Sequence, residues 1–195
     1  MESADPLLSV ILAASIAAVM LAVLVVSLTS LRKPTTTPMV VCSLLIAAAL
    51  VIVVVAPPSG TPILVGIPLT ALGIAAATIG GNPFTRRALD IATGKRVRET
   101  EDGGILIVAA HDTDPERTRT LMRGGTVIGY LERITAVVAI VVGFPEAIAA
   151  IIAVKGIGRF PELVQSEARE RFIIGTVASL LWAGVIAAII RLALG

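Results

Sequence analysis

Aromatic side chains make up only 3% of this 195-residue sequence, with a single tryptophan, Trp182, and a single tyrosine, Tyr130. An aromatic ligand cage or a base-stacking surface is therefore not expected. Cys42 is the only cysteine, so no intrachain disulfide forms and no thiolate metal framework exists. It lies within an apolar run, where a buried and inert thiol is expected. Charged residues reach 15%, against about 25% in a typical soluble domain. The chain shows no Walker A, no GxSxG, no HExxH and no dinucleotide-binding glycine fingerprint. A water-soluble enzyme, a disordered protein and a nucleic-acid-binding module are all poor fits.

Apolar residues are what the sequence has in excess. They make up 56% of it, and mean hydropathy is +0.95. They fall in long unbroken blocks, and blocks of about 18 or more apolar residues read as transmembrane helices. The spacing predicts six spans, at 7–31, 39–56, 63–80, 126–144, 147–160 and 172–194. Glu2 and Asp5 precede the first run, which is much longer than the core of about 7–15 residues in a secretory signal, so it reads as a retained span. Pro57, Pro58, Ser59 and Gly60 make a turn after the second span, Pro68 falls inside the third, and Pro145 with Glu146 makes a tight turn after the fourth. The fifth has roughly 14 residues, which as a helix rise about 21 Å against a hydrocarbon core of about 30 Å. It is either a thin span or a re-entrant partner of the fourth.

The fold class expected is therefore an all-α polytopic transmembrane bundle. It divides into an N-terminal three-span unit (1–80), a basic cytoplasmic segment (81–124) and a C-terminal three-span module (125–195). Basic residues set the orientation. With both termini outside, Arg32, Lys33, Arg86, Arg87, Lys95, Arg96, Arg98, Arg117, Arg119, Arg123, Arg159, Arg169 and Arg171 all lie inside, and only Arg191 remains outside. Within the polar segment, Asn82-Pro83 reads as an N-cap with proline in the first helical position. A short amphipathic helix follows, laying Arg86 and Arg87 on the inner membrane surface, and Lys95, Arg96 and Arg98 continue the basic patch. Residues 105–108 read as a short strand, and Asp114-Pro115 as the start of a helix running to Arg123.

The strongest chemical signal is ionisable residues within spans: Glu132 and Arg133 in the fourth, Lys155 in the fifth. A charge near a helix centre costs roughly 2.5–3.5 kcal/mol on insertion scales, so each requires a partner or a route to water. Folding the chain at Phe144-Pro145 brings Glu132 and Lys155 to similar depth, within about 3 Å of helix rise. Arg133 lies about 100° round the helix, where a lipid phosphate or Glu162 is its expected partner. Three readings stay open: a structural tie with Arg133 and Lys155 snorkelling to the inner surface, a polar cavity that binds or moves a ligand, and a catalytic carboxylate. No catalytic residue, metal or cofactor is assigned. His111, Asp112 and Asp114 resemble a metal site only superficially, because a solvated loop with Asp114 as a helix cap accounts for them.

Small residues give a second pattern. Gly125 and Gly129 form a GxxxG, and Gly175, Ser179, Ala183 and Ala187 recur at intervals of four. Such faces let helices approach closely in lipid, either within the chain or across a homodimer.

Three blocks in the C-terminal half carry a resemblance. They are Arg123-Gly124-Gly125 through Ile128-Gly129-Tyr130-Leu131-Glu132-Arg133; Ala153-Val154-Lys155-Gly156 through Gly158-Arg159-Phe160-Pro161-Glu162-Leu163; and Glu170-Arg171-Phe172-Ile173-Ile174-Gly175-Thr176 with Ser179 and Leu181-Trp182-Ala183. Written as RGGxxIGxLER, AVKGxGRxPEL and ERFIIGTxxSxLWA, they resemble an uncharacterised family of multi-spanning membrane proteins, chiefly actinobacterial. The resemblance covers about 70 residues and leaves out the first three spans and the polar segment. It implies a bacterial plasma-membrane protein and brings no activity with it. The expected role is a non-enzymatic scaffold or accessory subunit, with membrane lipids and a second copy or another membrane protein as partners. The alternative is a small transporter or lipid-binding protein that uses Glu132, Arg133 and Lys155.

Overall fold

Backbone amides that enter lipid must bond within their own segment, so the apolar blocks have one solution, the α-helix. The computed structural model, which describes residues 6–31, 35–56, 61–92, 98–99, 105–106, 120–121, 125–164 and 166–195, is a bundle of six helices. They are α1 (Pro6–Ser30), α2 (Thr36–Val55), α3 (Ile63–Ala92), α4 (Gly125–Val141), α5 (Ala147–Gly158) and α6 (Ser166–Leu194), with a 3₁₀ turn at Phe160–Val164. Between α3 and α4 lie three two-residue strands, β1 (Arg98–Glu99), β2 (Ile105–Leu106) and β3 (Thr120–Leu121), paired antiparallel in that order.

Four helices, α1, α2, α3 and α6, are long and apolar enough to cross a membrane. Large apolar side chains point outward all around them, among them Leu44, Val51, Leu64, Val177 and Leu181. A soluble monomer rarely exposes such a surface, and a bilayer covers it. The 17 residues of α4 sit at the lower limit for a span. The 12 residues of α5 rise about 18 Å, well short of a core of about 30 Å. None of them is buried, so α5 is a peripheral half-length helix, two residues shorter than the sequence predicts.

One apolar core runs through both halves of the chain. It joins Ile16, Met20 and Val23 of α1 and Ala49 and Val53 of α2 to Leu69 and Ala76 of α3, Val137 of α4, and Ile186 and Ile190 of α6. The helices are apolar on every side, so hydrophobicity does not choose the inward face. Small residues do. On α1 the buried positions are Ser9, Ala13, Ile16, Met20, Val23, Ser27 and Ser30, alternating steps of four and three. On α3 Gly66, Leu69, Gly73, Ala76 and Gly80 keep the same stepping, and Ala77 and Gly81 beside them are buried too. A β-carbon on Gly66 would come within 2.9 Å of Leu194, one on Gly73 would overlap Ile190, and one on Gly80 would lie 2.7 Å from both Ser27 Oγ and Trp182. These glycines let α3 lie directly against α6 and α1. This heptad of glycines was not anticipated; the four-residue spacing on α4 and α6 was.

Two expectations need correction. The third span does not stop at Gly80 before a separate surface helix. α3 continues unbroken through Asn82 and Pro83 to Ala92, so the expected boundary at residue 80 falls inside a helix. Asn82 does not serve as an N-cap because its side-chain oxygen accepts a bond from Arg133 instead. Residues 120–121 are strand rather than the end of a helix. Lys95, Arg96, His111, Asp112 and Asp114 lie outside the described residues.

The two ends of the bundle differ in character. At one end Thr61 Oγ1 donates to the Ala193 carbonyl (2.6 Å) and Arg191 donates to the Val141 carbonyl (2.8 Å), capping α6 and α4. At the other end α3, α4, α5 and α6 bring their basic residues together.

Candidate functional site

At that basic end, α3, α4, α5 and α6 diverge around a partly open cleft of about 150 Å³. This is roughly ten times what a single water requires. Among the described residues, five basic side chains, Arg86, Arg133, Lys155, Arg159 and Arg171, line it against one carboxylate, Glu132. The predicted trio is thus brought to one place, in two different arrangements.

Glu132 and Lys155 meet as the register predicts, with Lys155 Nζ donating to Glu132 Oε2 at 2.6 Å. The ammonium also lies 5.6 Å from the centre of the Phe172 ring, within cation–π range. Lys155 is in the last turn of α5, where a cation also meets the negative end of the helix dipole.

Arg133 departs from expectation. It does not snorkel to the surface; it is 2% exposed and turned between α3 and α6. Its Nε donates to the Thr78 carbonyl (3.0 Å), Nη1 to Ser179 Oγ (2.9 Å) and Nη2 to Asn82 Oδ1 (2.6 Å). The reason is local. The guanidinium meets the α3 backbone at the Thr78 carbonyl, next to the Ile79 carbonyl for which Pro83 has no N–H to donate. Gly81 has no side chain, so the guanidinium stem can lie against that backbone; a β-carbon there would overlap Arg133 Cδ. Gly129, one turn earlier on α4, keeps the same space open, since a β-carbon would sit 3.2 Å from Nη1. Of the two glycines of the GxxxG, Gly129 therefore makes room for an arginine, and both line the cleft.

The remaining predicted positions divide similarly. Ala183 is fully buried in the core, whereas Gly175 and Ser179 line the cleft. Of the inner-surface basic residues, Arg86 lines the cleft, and Arg87 bonds Thr36 Oγ1 through Nη2 (2.6 Å) and Nε (3.0 Å). Arg98 lies in β1. Cys42 is buried, as expected, with its sulfur 3.9 Å from Ser27 Oγ.

Sequence reasoning missed the hydroxyls. Helical serines and threonines in an apolar setting usually fold back on the carbonyl one turn earlier. Ser15, Ser27, Ser30, Ser43, Thr70, Thr78 and Thr135 all do this, four residues back. Thr85 and Thr176 do not. Their Oγ1 atoms, together with Glu132 Oε1, are buried without a hydrogen-bond partner among the described residues, and all three residues line this one cleft. Leaving such a group unpaired costs about 1–3 kcal/mol, so three in one place mark a built polar surface. Their signal in the sequence is faint: each threonine lies in the same stretch as an arginine, Thr85-Arg86-Arg87 and Arg171 to Thr176.

In chemical terms the cleft offers cations and hydroxyl donors to an anion. One to two turns further along α4 and α6 from Arg133 and Ser179, toward the capped end, Ala136, Val137, Ala183 and Ile186 are fully buried in the core. No protein-family model, no curated protein and no solved structure matches this chain, so the resemblance of its C-terminal blocks rests on their residues alone.

Proposed function

We propose that this chain is a non-enzymatic membrane protein that holds an anionic, phosphate-type group in the cleft between α3, α4, α5 and α6, most directly the headgroup of a lipid in the surrounding leaflet. One observation carries the reading: two threonine hydroxyls without a partner among the described residues, four arginines and a lysine share a single cleft at the basic end of a bundle with an apolar exterior. Phosphate oxygens accept from hydroxyls and from guanidinium, and Arg matches their geometry. Among the described residues the Glu132 carboxylate is the cleft's one candidate base, and Lys155 already occupies one of its oxygens, which favours binding over catalysis. The packed core beyond the cleft favours holding a ligand over passing it across.

The basic end faces the cytosol in this reading, by the positive-inside rule, with the capped end outside in a bacterial plasma membrane. A scaffold or accessory role is compatible with it, the lipid serving as a structural ligand beside a second copy or another membrane protein.

The test is thermal unfolding of the full chain in mild detergent with added lipid. Dioleoyl phosphatidylglycerol should raise the midpoint in a concentration-dependent way, dioleoyl phosphatidylcholine should not, and Arg171→Gln should blunt the effect. Equal shifts with both lipids, or none with either, would remove the proposal.

A further inference from the structure

The geometry points to a ligand that carries a hydroxyl beside its phosphate: the cleft is built for a polyol phosphate headgroup, with Glu132 Oε1 receiving the hydroxyl. This rests on the headgroup reading above and narrows it to a class.

Glu132 is 7% exposed, and its two carboxylate oxygens differ in use. Oε2 takes Lys155 Nζ at 2.6 Å, while Oε1 is buried without a partner among the described residues, in a residue that lines the cleft. An ionised carboxylate oxygen only accepts, so the group that completes it must donate. A bare phosphate monoester on a diacylglycerol offers no such donor away from its phosphoryl oxygens. Placing those oxygens against Oε1 would set anion on anion.

Two kinds of headgroup could donate: an ammonium, as on ethanolamine, or a hydroxyl, as on glycerol or inositol. Charge decides between them. Lys155 already neutralises Glu132, and the buried Arg133 and Arg171 line the same walls. A second ammonium at Glu132 would crowd a further cation into an already cationic space, and like charges at short range repel. A neutral hydroxyl satisfies Oε1 at no such cost. The hydroxyls of Thr85 and Thr176 complement it by donating to the phosphate. The cleft thus has an acceptor wall on α4 and donor walls on α3 and α6, which suits a ligand with an anionic end and a hydroxyl end a few bonds apart.

The same chemistry exists in a lipid and in a soluble molecule, so the test has arms for both. Binding to the purified full chain is measured for dioleoyl phosphatidylglycerol, dioleoyl phosphatidic acid, dioleoyl phosphatidylethanolamine, sn-glycerol 3-phosphate and inorganic phosphate. Phosphatidic acid carries at least as much negative charge as phosphatidylglycerol, so simple electrostatics would favour it or make them equal. Phosphatidylglycerol should instead bind about tenfold more tightly than phosphatidic acid and more tightly still than phosphatidylethanolamine. In Glu132→Gln, which keeps an oxygen for Lys155 and replaces the free acceptor with a donor amide, that preference should fall below about twofold while phosphatidic acid binding persists.

If glycerol 3-phosphate competes with phosphatidylglycerol at similar concentration while inorganic phosphate does not, the polyol phosphate class stands and its source is the soluble one. Equal binding of phosphatidylglycerol and phosphatidic acid by the native chain would overturn the hydroxyl assignment and leave the headgroup reading intact. Binding of no anionic lipid or phosphate at all would overturn both. Thr176→Val serves where Glu132→Gln fails to fold. It should weaken both lipids together by removing a phosphate donor, and a change in the ratio between them would count against the assigned walls.

Discussion

Lys155 Nζ lies 2.6 Å from Glu132 Oε2, and this one contact ties the least packed helix of the bundle to the wall of its cleft. α5 buries none of its own residues, and a β-carbon at either Gly156 or Gly158 would meet nothing within 4 Å. α5 rests on the core through the partly buried Ile148, and the ion pair ties its last turn to α4.

Removing one partner should harm the protein more than removing both. Lys155→Met leaves a buried carboxylate unpaired and is expected to cost roughly 2–3 kcal/mol, reduced from a fully buried case because Lys155 is partly exposed. Adding Glu132→Gln should restore at least about 1 kcal/mol, since neighbouring sites in one pair are not additive. Denaturant unfolding in detergent micelles reads both; additive losses would show that the contact carries no coupling.

Arg133 should not be replaceable by lysine. Its three bonds leave in three directions, to Thr78, Ser179 and Asn82, which a single ammonium on a flexible stem cannot reproduce. Arg133→Lys is expected to lower stability by about 2–4 kcal/mol, from the loss of two charge-assisted bonds. A melting temperature close to that of the native chain would count against the network.

The glycine heptad of α3 makes an opposed pair of forecasts. Gly80→Ala forces a methyl to within 2.7 Å of Ser27 Oγ and of the Trp182 ring, and overpacking of this kind costs about 1–3 kcal/mol. Gly156→Ala, in open space on a helix, should be neutral or stabilising by up to about 1 kcal/mol. Thermal unfolding of the two variants side by side tests whether close approach, or merely helix propensity, governs these positions.

Thr176→Val distinguishes a binding hydroxyl from a structural one. The Oγ1 atom has no partner among the described residues, so its replacement by a methyl of similar volume should leave the midpoint without lipid unchanged or raised. The midpoint gain on adding phosphatidylglycerol should shrink. A drop in stability without lipid would show that the hydroxyl serves the fold.

Orientation can be read by labelling intact cells. In a Cys42→Ala background, a cysteine at Glu146, exposed in the turn between α4 and α5, should react with a membrane-impermeant maleimide from outside. A cysteine at Arg169, exposed near the start of α6, should react only after the membrane is opened. The reverse pattern would turn the cleft outward.

Much of this was legible in the chain because it depends on local composition. Long apolar blocks dictate helices, and the register across the Phe144-Pro145 turn placed Lys155 opposite Glu132 by arithmetic on helix rise. Where reading by neighbourhood fails, the cause is a competing partner far along the chain. Asn82 has an ideal cap composition with Pro83 after it, yet Arg133, 51 residues on, claims its side chain, and the helix runs through. The GxxxG at Gly125 and Gly129 has the spacing of a helix seam, but the space beside Gly129 is filled by that same guanidinium.

The sequence by itself determined that the chain is helical and membrane-embedded and that its basic residues gather toward one end, because transfer free energies and backbone bonding are properties of each segment alone. Only the tertiary structure decided which face of each helix turns inward. When a helix is apolar all round, burial gains little on either side, and the choice passes to shape, as with Gly66, Gly73 and Gly80 against α6 and α1. It also decided that Thr85, Thr176 and Glu132 keep atoms without a partner among the described residues at one cleft, while Arg133 is bonded on three sides. That distinction belongs to where four helices diverge, and no single helix contains it.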